Sequence, residues 1–232
     1  MLATDTLRLF GLQVIRGKIL PDDEKVKTTA EWPIPKTKKQ LKSFVGLVSY
    51  FRGHVVNFAE IAFPLTELTG RYKPERLQWS QTHQNALEQL KKALMSRPVL
   101  YPPDTTKDFQ IMADSSQTTA SAILMQDGED GDTTPRVISY ASRKLLPRER
   151  NFSTIEQEIL SIVSAVSKFN HFIYGQRILV KSDHHALAYM NSLVETSPRL
   201  ARWALITALQ SNGRVRTGRS SARTCLNSKG LR

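Results

Sequence analysis

The stretch that most constrains the fold is residues 109–126, FQIMADSSQTTASAILMQ, where two apolar runs of strand character flank a short polar segment. The pattern that follows is a third apolar run, a long helical segment, the apolar run RILVKS and a short helical segment, HHALAYM. The predicted elements are therefore strands over 109–113, 120–126 and 136–140, a helix over about 154–169, a strand over RILVKS and a helix over HHALAYM. This order is typical of an α/β domain whose strand after the helix runs parallel to a neighbour.

The N-terminal part of the chain predicts mainly short helices. Residues 8–20, RLFGLQVIRGKIL, carry β-branched residues around two glycines and predict a hairpin, and PDDEKVKTTAEW then predicts a helix with an acidic first turn. Two longer segments, TKKQLKSFVGLVSYFRGHV and SQTHQNALEQLKKALMS, have apolar residues at helical spacing. These residues are Leu41, Phe44, Val45, Val48 and Phe51 in the first segment and Ala86, Leu87, Leu90 and Leu94 in the second.

A proline-rich joint, RPVLYPPDTTK, separates the two patterns and predicts a domain boundary near residue 105. From Asn212 the sequence NGRVRTGRSSARTCLNSKGLR has six Lys or Arg residues, no acid and no apolar period, which predicts disorder. The predicted organisation is thus a mainly helical region over 1–104, an α/β domain over 105–211 and a basic, disordered tail over 212–232.

The charge of the chain indicates its class of partner. Lys and Arg outnumber Asp and Glu by 33 to 21, and a net charge of +12 favours a polyanion, most simply nucleic acid. The single cysteine, Cys225, excludes an internal disulfide or a zinc finger, and a cytoplasmic or nuclear location is expected. No apolar run approaches the roughly 20 residues of a membrane helix, so no membrane partner is expected.

Three carboxylates stand where the α/β order brings elements together: Asp114 after the first strand, Glu158 on the long helix and Asp183 after the fourth strand. Each has an ordinary structural interpretation. Asp114 fits the start of an Asx-turn, and Asp183 fits the N-cap of the next helix. Glu158 and Glu156 border opposite edges of the apolar helix face, so periodicity does not decide which of them, if either, has a function.

As a set, the three acids indicate a metal site. Carboxylates that converge from two strand ends and one helix repel one another unless a hard cation, most naturally Mg²⁺, neutralises them. Two such ions about 4 Å apart can activate a water and stabilise the leaving oxygen of a phosphodiester. The sequence therefore favours metal-dependent hydrolysis of nucleic acid over purely structural roles for these acids.

Several motifs occur in an order that identifies a family resemblance. Before the joint they are LFGLQVI, EWPIPKTKKQLKSFVGLVSYFRGHVVNFAEIAFPLTEL and NALEQLKKALMSRPVL. After the joint they are FQIMADSS, VISYASRKL, ERNFSTIEQEIL, YGQRILVKSDHHAL and RLARW. Together they resemble the pol polyprotein of Ty3/gypsy-type retrotransposons at the junction of reverse transcriptase and ribonuclease H, over roughly residues 9–210.

The resemblance implies a ribonuclease H-like mixed sheet with helices, preceded by the thumb or connection region of the polymerase. It places Asp114, Glu158 and Asp183 at the first three metal-ligand positions of the ribonuclease H domain, with Mg²⁺, or Mn²⁺, as the cofactor. It also selects Glu158 over Glu156. The implied activity is endonucleolytic hydrolysis of the RNA strand of RNA/DNA hybrids.

The sequence also departs from the family pattern. Thr119 and Ser121 replace two glycines of the first hairpin, and no Asp or Glu follows Glu195, where the family supplies a fourth metal ligand. The polymerase motif YxDD is absent from the sequence. The expected function is therefore an impaired ribonuclease H without polymerase activity of its own, with a non-catalytic nucleic-acid-binding remnant as the alternative.

Overall fold

The computed structural model describes residues 6–128, 134–182 and 215–219, and the chain divides into two compact units, residues 1–102 and 103–232. The division lies within the proline-rich joint, two residues before the boundary placed after residue 104 from the sequence. Each unit has a hydrophobic core of its own.

The first unit begins with a three-stranded antiparallel sheet of β1 (Thr6–Leu9), β2 (Leu12–Ile15) and β3 (Lys18–Pro21), paired in chain order. The prediction of one hairpin over residues 8–20 is therefore wrong. Each of the two glycines closes its own two-residue turn, with positive φ at Phe10 and Gly11 in the first turn and at Arg16 and Gly17 in the second. Two residues with positive φ are typical of the tight turns that join antiparallel strands, so two such turns give three strands.

Five α-helices follow in the described part of the first unit, and their apolar faces form its core. They are α1 (Asp23–Ala30), α2 (Lys38–Tyr50), α3 (Phe58–Ile61), α4 (Phe63–Leu68) and α5 (Gln81–Met95). Thr37 and Gln40 form a capping box at the start of α2, which explains why this helix begins at Lys38. The predicted faces of α2 and α5 are buried, apart from the partly buried Val45, so the helical interpretation is confirmed.

The second unit contains the predicted α/β fold. Its elements are β4 (Phe109–Ser115), β5 (Thr119–Gln126), β6 (Arg136–Lys144), α6 (Thr154–Ile173), β7 (Ile178–Ser182) and β8 (Val215–Arg219). The sheet has the order β6-β5-β4-β7-β8, in which β4, β5 and β6 pair antiparallel. As predicted, the strand after the helix runs parallel to a neighbour, because β7 pairs parallel with β4.

Helix α6 covers one face of this sheet and builds the second core. Alternate residues of β4, namely Phe109, Ile111 and Ala113, pack with the apolar side of α6. That side consists of Ile162, Ala165, Val166, Phe169 and Ile173. Among the residues that the structure describes, no helix combines the length and hydropathy needed to cross a membrane.

Strand β8 contradicts part of the disorder expected from residue 212 onward. Residues Val215–Arg219 pair parallel with β7, from Ile178 opposite Val215 to Ser182 opposite Arg219. Pairing of this kind uses backbone N–H and C=O groups, so it does not require the alternating apolar pattern that the segment lacks. The remainder of 212–232 and the predicted helix over HHALAYM lie outside the described residues.

The hairpin of β4 and β5 forms without the two family glycines. Neither Thr119 nor Ser121 has a positive φ, so side chains fit at both positions without backbone strain. The turn is closed by the bond from Ser116 N to Thr119 O, 2.8 Å, and the Ser116 hydroxyl accepts from Thr119 N at 3.1 Å. The two hydroxyls of Ser116 and Thr119 also lie 2.9 Å apart.

Replacing Ser116 with alanine should lower the free energy of unfolding of the second unit by about 1 kcal/mol, because the turn loses the acceptor for Thr119 N. Urea unfolding followed by circular dichroism measures this change. The matched control is Gln117→Ala in the same turn, at an exposed position. Equal effects of the two substitutions would mean that the Ser116 hydroxyl does not hold the turn.

Candidate metal centre

Asp114 is the next-to-last residue of β4 and is paired with Ser121 of β5. Its side chain is partly buried, and its Oδ1 accepts a hydrogen bond from Ser115 N at 2.9 Å. Because Ile111 and Ala113 pack towards α6, strand alternation directs Asp114 to the other face at the end of the strand. The carboxylate therefore lies near the end of a central strand, outside the core under α6.

The two glutamates at the start of α6 have different surroundings. Glu156 belongs to a capping box, since its Oε2 accepts from Ser153 N at 2.9 Å and from Ser153 Oγ at 3.1 Å. Glu158 lies half a turn further on, partly buried, with its Oε2 shielded from solvent. Capping explains Glu156 structurally, which leaves Glu158 as the candidate ligand on this helix.

Asp114 and Glu158 lie at the same end of the sheet. Helix α6 precedes β7, which is parallel to β4, so α6 runs back along the sheet and begins where β4 ends. Leu160 confirms this direction, because it packs with Ala120, and Ala120 is paired with Ser115, the neighbour of Asp114. The fold thus places the backbones of two of the three acids that the sequence singled out at one end of the sheet.

Asp183, the third predicted ligand, lies outside the described residues. The parallel pairing of β4 with β7 is described as far as Met112 opposite Lys181, so Asp114 and Asp183 each follow the last described pair by two residues. Within residues 6–128, 134–182 and 215–219, no three His, Cys, Asp or Glu side chains form a group that could hold a metal ion.

The donor set at this end of the sheet suits a hard divalent cation. Carboxylate oxygens are the ligands that Mg²⁺ prefers in proteins, and two carboxylates come here from different elements. A carboxylate oxygen shielded from solvent, such as Oε2 of Glu158, gains from a nearby positive charge. The residue types of Asp114 and Glu158 are therefore compatible with the predicted Mg²⁺ ligands, as members of a larger set.

A partly buried ion pair beside this end of the sheet was not predicted from the sequence. Arg143, in β6, donates to both carboxylate oxygens of Glu149, at 2.7 and 3.2 Å. Burial alone raises the pKa of Glu149, but hydrogen bonds from Arg143 and Leu146 N and the charges of Arg143 and Arg148 outweigh it and hold the pKa below its ordinary value. The carboxylate is therefore ionised and tightly paired at neutral pH.

Comparison with known proteins places these elements in a family. Residues 79–180 match the family described as the RNase H-like domain found in reverse transcriptase. The retrovirus-related Pol polyprotein from transposon 297 of Drosophila melanogaster is 36% identical over 188 residues, which is 80% of this chain and 17% of that protein. The Tf2-3 polyprotein of Schizosaccharomyces pombe is 28% identical over 203 residues, 86% of this chain and 15% of that protein.

Solved structures of other proteins have a similar fold. The structure of the foamy viral protease-reverse transcriptase in complex with RNA/DNA hybrid has a TM-score of 0.77 and 22% identity, covering 94% of this chain and 29% of that one. The structure of the foamy viral protease-reverse transcriptase dRH in complex with double-stranded DNA has a TM-score of 0.76 and 22% identity, covering 93% of this chain and 38% of that one. This chain, which spans about a fifth or less of the transposon polyproteins it matches, is a relative of those Pol polyproteins and carries an RNase H-like reverse transcriptase domain over residues 79–180.

Proposed function

We propose that the second unit hydrolyses the RNA strand of RNA/DNA hybrids in a Mg²⁺-dependent reaction, with Asp114, Glu158 and Asp183 as metal ligands. The observation that carries the proposal is the placement of Asp114 and Glu158 at one end of an RNase H-like sheet. The charge of the chain supports it, because a net charge of +12 attracts a polyanionic substrate. The foamy viral relative was solved with an RNA/DNA hybrid, which is the same class of substrate.

The residues have distinct roles in this proposal. Asp114, on the strand, and Glu158, on the helix, hold carboxylates in fixed positions, because their backbones belong to regular elements with buried neighbours. When bound, the Mg²⁺ ions supply activation of a water and stabilisation of the leaving oxygen. Lys and Arg side chains neutralise phosphates and orient the duplex without reading its sequence. Mn²⁺, which accepts the same oxygen ligands, is expected to substitute for Mg²⁺.

We further propose that the reaction is slow in this chain. Residues 196–232 contain no Asp or Glu, so this region supplies no fourth carboxylate. Three carboxylates can neutralise one divalent ion, but a second ion in the same site needs more negative charge. Cleavage is therefore expected to be detectable and weak.

A cleavage assay tests the proposal directly. The full chain is incubated with an RNA/DNA hybrid labelled on the RNA strand, with Mg²⁺ or with a chelator. RNA cleavage that needs Mg²⁺ and disappears in Asp114→Asn is the expected result. The matched control is Asp108→Asn, an exposed carboxylate just before the same strand, which should cleave as the unmodified chain does.

The second candidate function is nucleic-acid binding without catalysis, favoured by the basic composition and by the missing fourth acid. In either function, binding should weaken with salt because neutralised phosphates release counterions, at a slope of about −0.9 in log K per log salt for each contact. Removing residues 212–232, with their six Lys or Arg, should make this slope shallower. Fluorescence anisotropy over a salt series measures the slope, and an unchanged slope would show that these residues make no phosphate contacts.

A further inference from the structure

The side chain of Arg143 links strand β6, the connection that follows it and helix α6. Arg143 lies in β6, its Nη atoms donate to Glu149 in the connection between β6 and α6, and its Nε donates to Ser164 Oγ of α6 at 2.9 Å. We name the set of Arg143, Glu149 and Ser164 the β6–α6 latch. Two parallel bonds from a guanidinium to a carboxylate fix orientation as well as distance.

The connection between the strand and the helix is anchored by the latch. Glu149 is only 9% exposed, and its Oε2 also accepts from Leu146 N at 2.8 Å, so the carboxylate closes the turn in which it lies. Beyond the turn, Gln157 of α6 donates to Arg150 O at 3.0 Å. The path of the connection is therefore fixed at its beginning, by Glu149, and at its junction with the helix, by Gln157.

The latch is adjacent to the candidate metal centre through backbone and core contacts. Arg143 is paired with Ala120 of β5, which is in turn paired with Ser115, next to Asp114. Leu145, two residues after Arg143, donates its N–H to Thr118 O at 2.7 Å and packs with Ala120 and Leu160. Glu158 is two residues before Leu160 and six before Ser164, so Leu145 packs next to the turn that carries this carboxylate and the latch contacts α6 about two turns further on.

The geometry points to a positioning role: Arg143, held by Glu149 and bonded to Ser164, fixes α6 against β6 so that Glu158 keeps its place at the end of the sheet where β4 ends, for binding a divalent cation. The proposal rests on the proposed function for the identity of the cation site. It assigns no contact between the latch and the cation or the substrate, so Arg143 and Glu149 are positioning residues.

The test compares Arg143→Gln with the unmodified full chain in two measurements. Mg²⁺ affinity, measured by calorimetric titration, should fall by about tenfold, as is typical when a residue that orients a metal ligand is lost. Hydrogen exchange should accelerate at the amides of residues 158–161 and stay unchanged at residues 166–172 of the same helix. Arg143→Lys should have an intermediate effect, because an ammonium group keeps the charge but cannot make the planar bidentate contact.

Two further variants serve as controls. Arg97→Gln removes an exposed ion pair of similar length, 2.8 Å to Asp23, in the first unit, and should change neither measurement. In the double variant Arg143→Gln, Glu149→Gln, the loss should be no larger than in Arg143→Gln alone, because both residues act through one interaction.

The outcomes separate the latch from the proposed function. Unchanged exchange at residues 158–161 in Arg143→Gln would overturn the latch, and so would uniform acceleration over the whole second unit, which indicates only lost stability. Exchange that accelerates locally while Mg²⁺ affinity stays the same would show that the turn is held but that this does not position Glu158, which also overturns the proposal. An unmodified chain that binds no Mg²⁺ would contradict the proposed function, while the exchange at residues 158–161 would still decide whether the latch holds the helix start.

Discussion

A chain extended after Gln210 by a strand and an ADALSR segment of the family type is expected to cleave an RNA/DNA hybrid orders of magnitude faster than the unmodified chain. The physical reason is the fourth carboxylate, which allows the site to hold a second divalent ion. Its absence should remove several kcal/mol of transition-state stabilisation, and each ~1.4 kcal/mol corresponds to a factor of ten in rate.

The fold offers a place for the added strand. Strand β8 pairs parallel with β7, so this side of β7 accepts a strand in that orientation, and the added strand would take the place of β8. Single-turnover cleavage in Mg²⁺ measures the gain. The matched controls are the same extension with Asn instead of its Asp, which should remain slow, and Asp183→Asn within the extended chain, which should abolish the gain. If the unmodified chain already cleaves as fast as the extended one, the missing carboxylate is supplied from elsewhere.

Asp114→Asn is expected to abolish the stabilisation of the second unit by Mg²⁺ together with hybrid cleavage. A ligand that binds only the folded state stabilises it by about 2.7 kcal/mol at one hundred times its dissociation constant, and Asn removes the charge on which that binding depends. The substitution should preserve the fold, because the amide oxygen can still accept from Ser115 N. Without Mg²⁺ the variant should be as stable as the unmodified chain, or more stable, since one of several mutually repelling carboxylates is gone.

Urea unfolding with and without Mg²⁺ measures both effects in the same variant. Asp108→Asn is the control for the loss of one negative charge at an exposed position and should keep the full Mg²⁺ increment. A persistent increment in Asp114→Asn would place the cation elsewhere in the molecule. A large loss of stability without Mg²⁺ would instead show that Asp114 is needed for the fold.

Much of the fold was predictable because burial imposes a period on the sequence. The faces of α2 and α5 and the strands of the second unit are regular, and each packs as its pattern indicates. Strand β8 was missed because VRTGR joins the sheet through its backbone, which leaves no apolar alternation to detect. The third strand of the first sheet was missed because the two tight turns, Phe10-Gly11 and Arg16-Gly17, were merged into one hairpin.

The sequence predicted that the candidate site consists of carboxylates. It did not decide between Glu156 and Glu158, and it did not predict the contacts of Arg143. The choice between Glu156 and Glu158 was open from periodicity, although the capping pattern of Ser153 with Glu156 was present in the sequence and could have removed one of them. The contact of Arg143 with Glu149 and Ser164 depends on how the connection folds back onto α6, and neither spacing nor period encodes that path.

The most direct measurement is cleavage by the unmodified full chain of three labelled duplexes, an RNA/DNA hybrid, a double-stranded RNA and a double-stranded DNA, each with and without Mg²⁺. Slow cleavage confined to the RNA strand of the hybrid, dependent on Mg²⁺ and absent in Asp114→Asn, is the predicted result. Binding of all three duplexes without Mg²⁺-dependent cleavage of any would contradict the proposed hydrolysis and would favour the nucleic-acid-binding remnant.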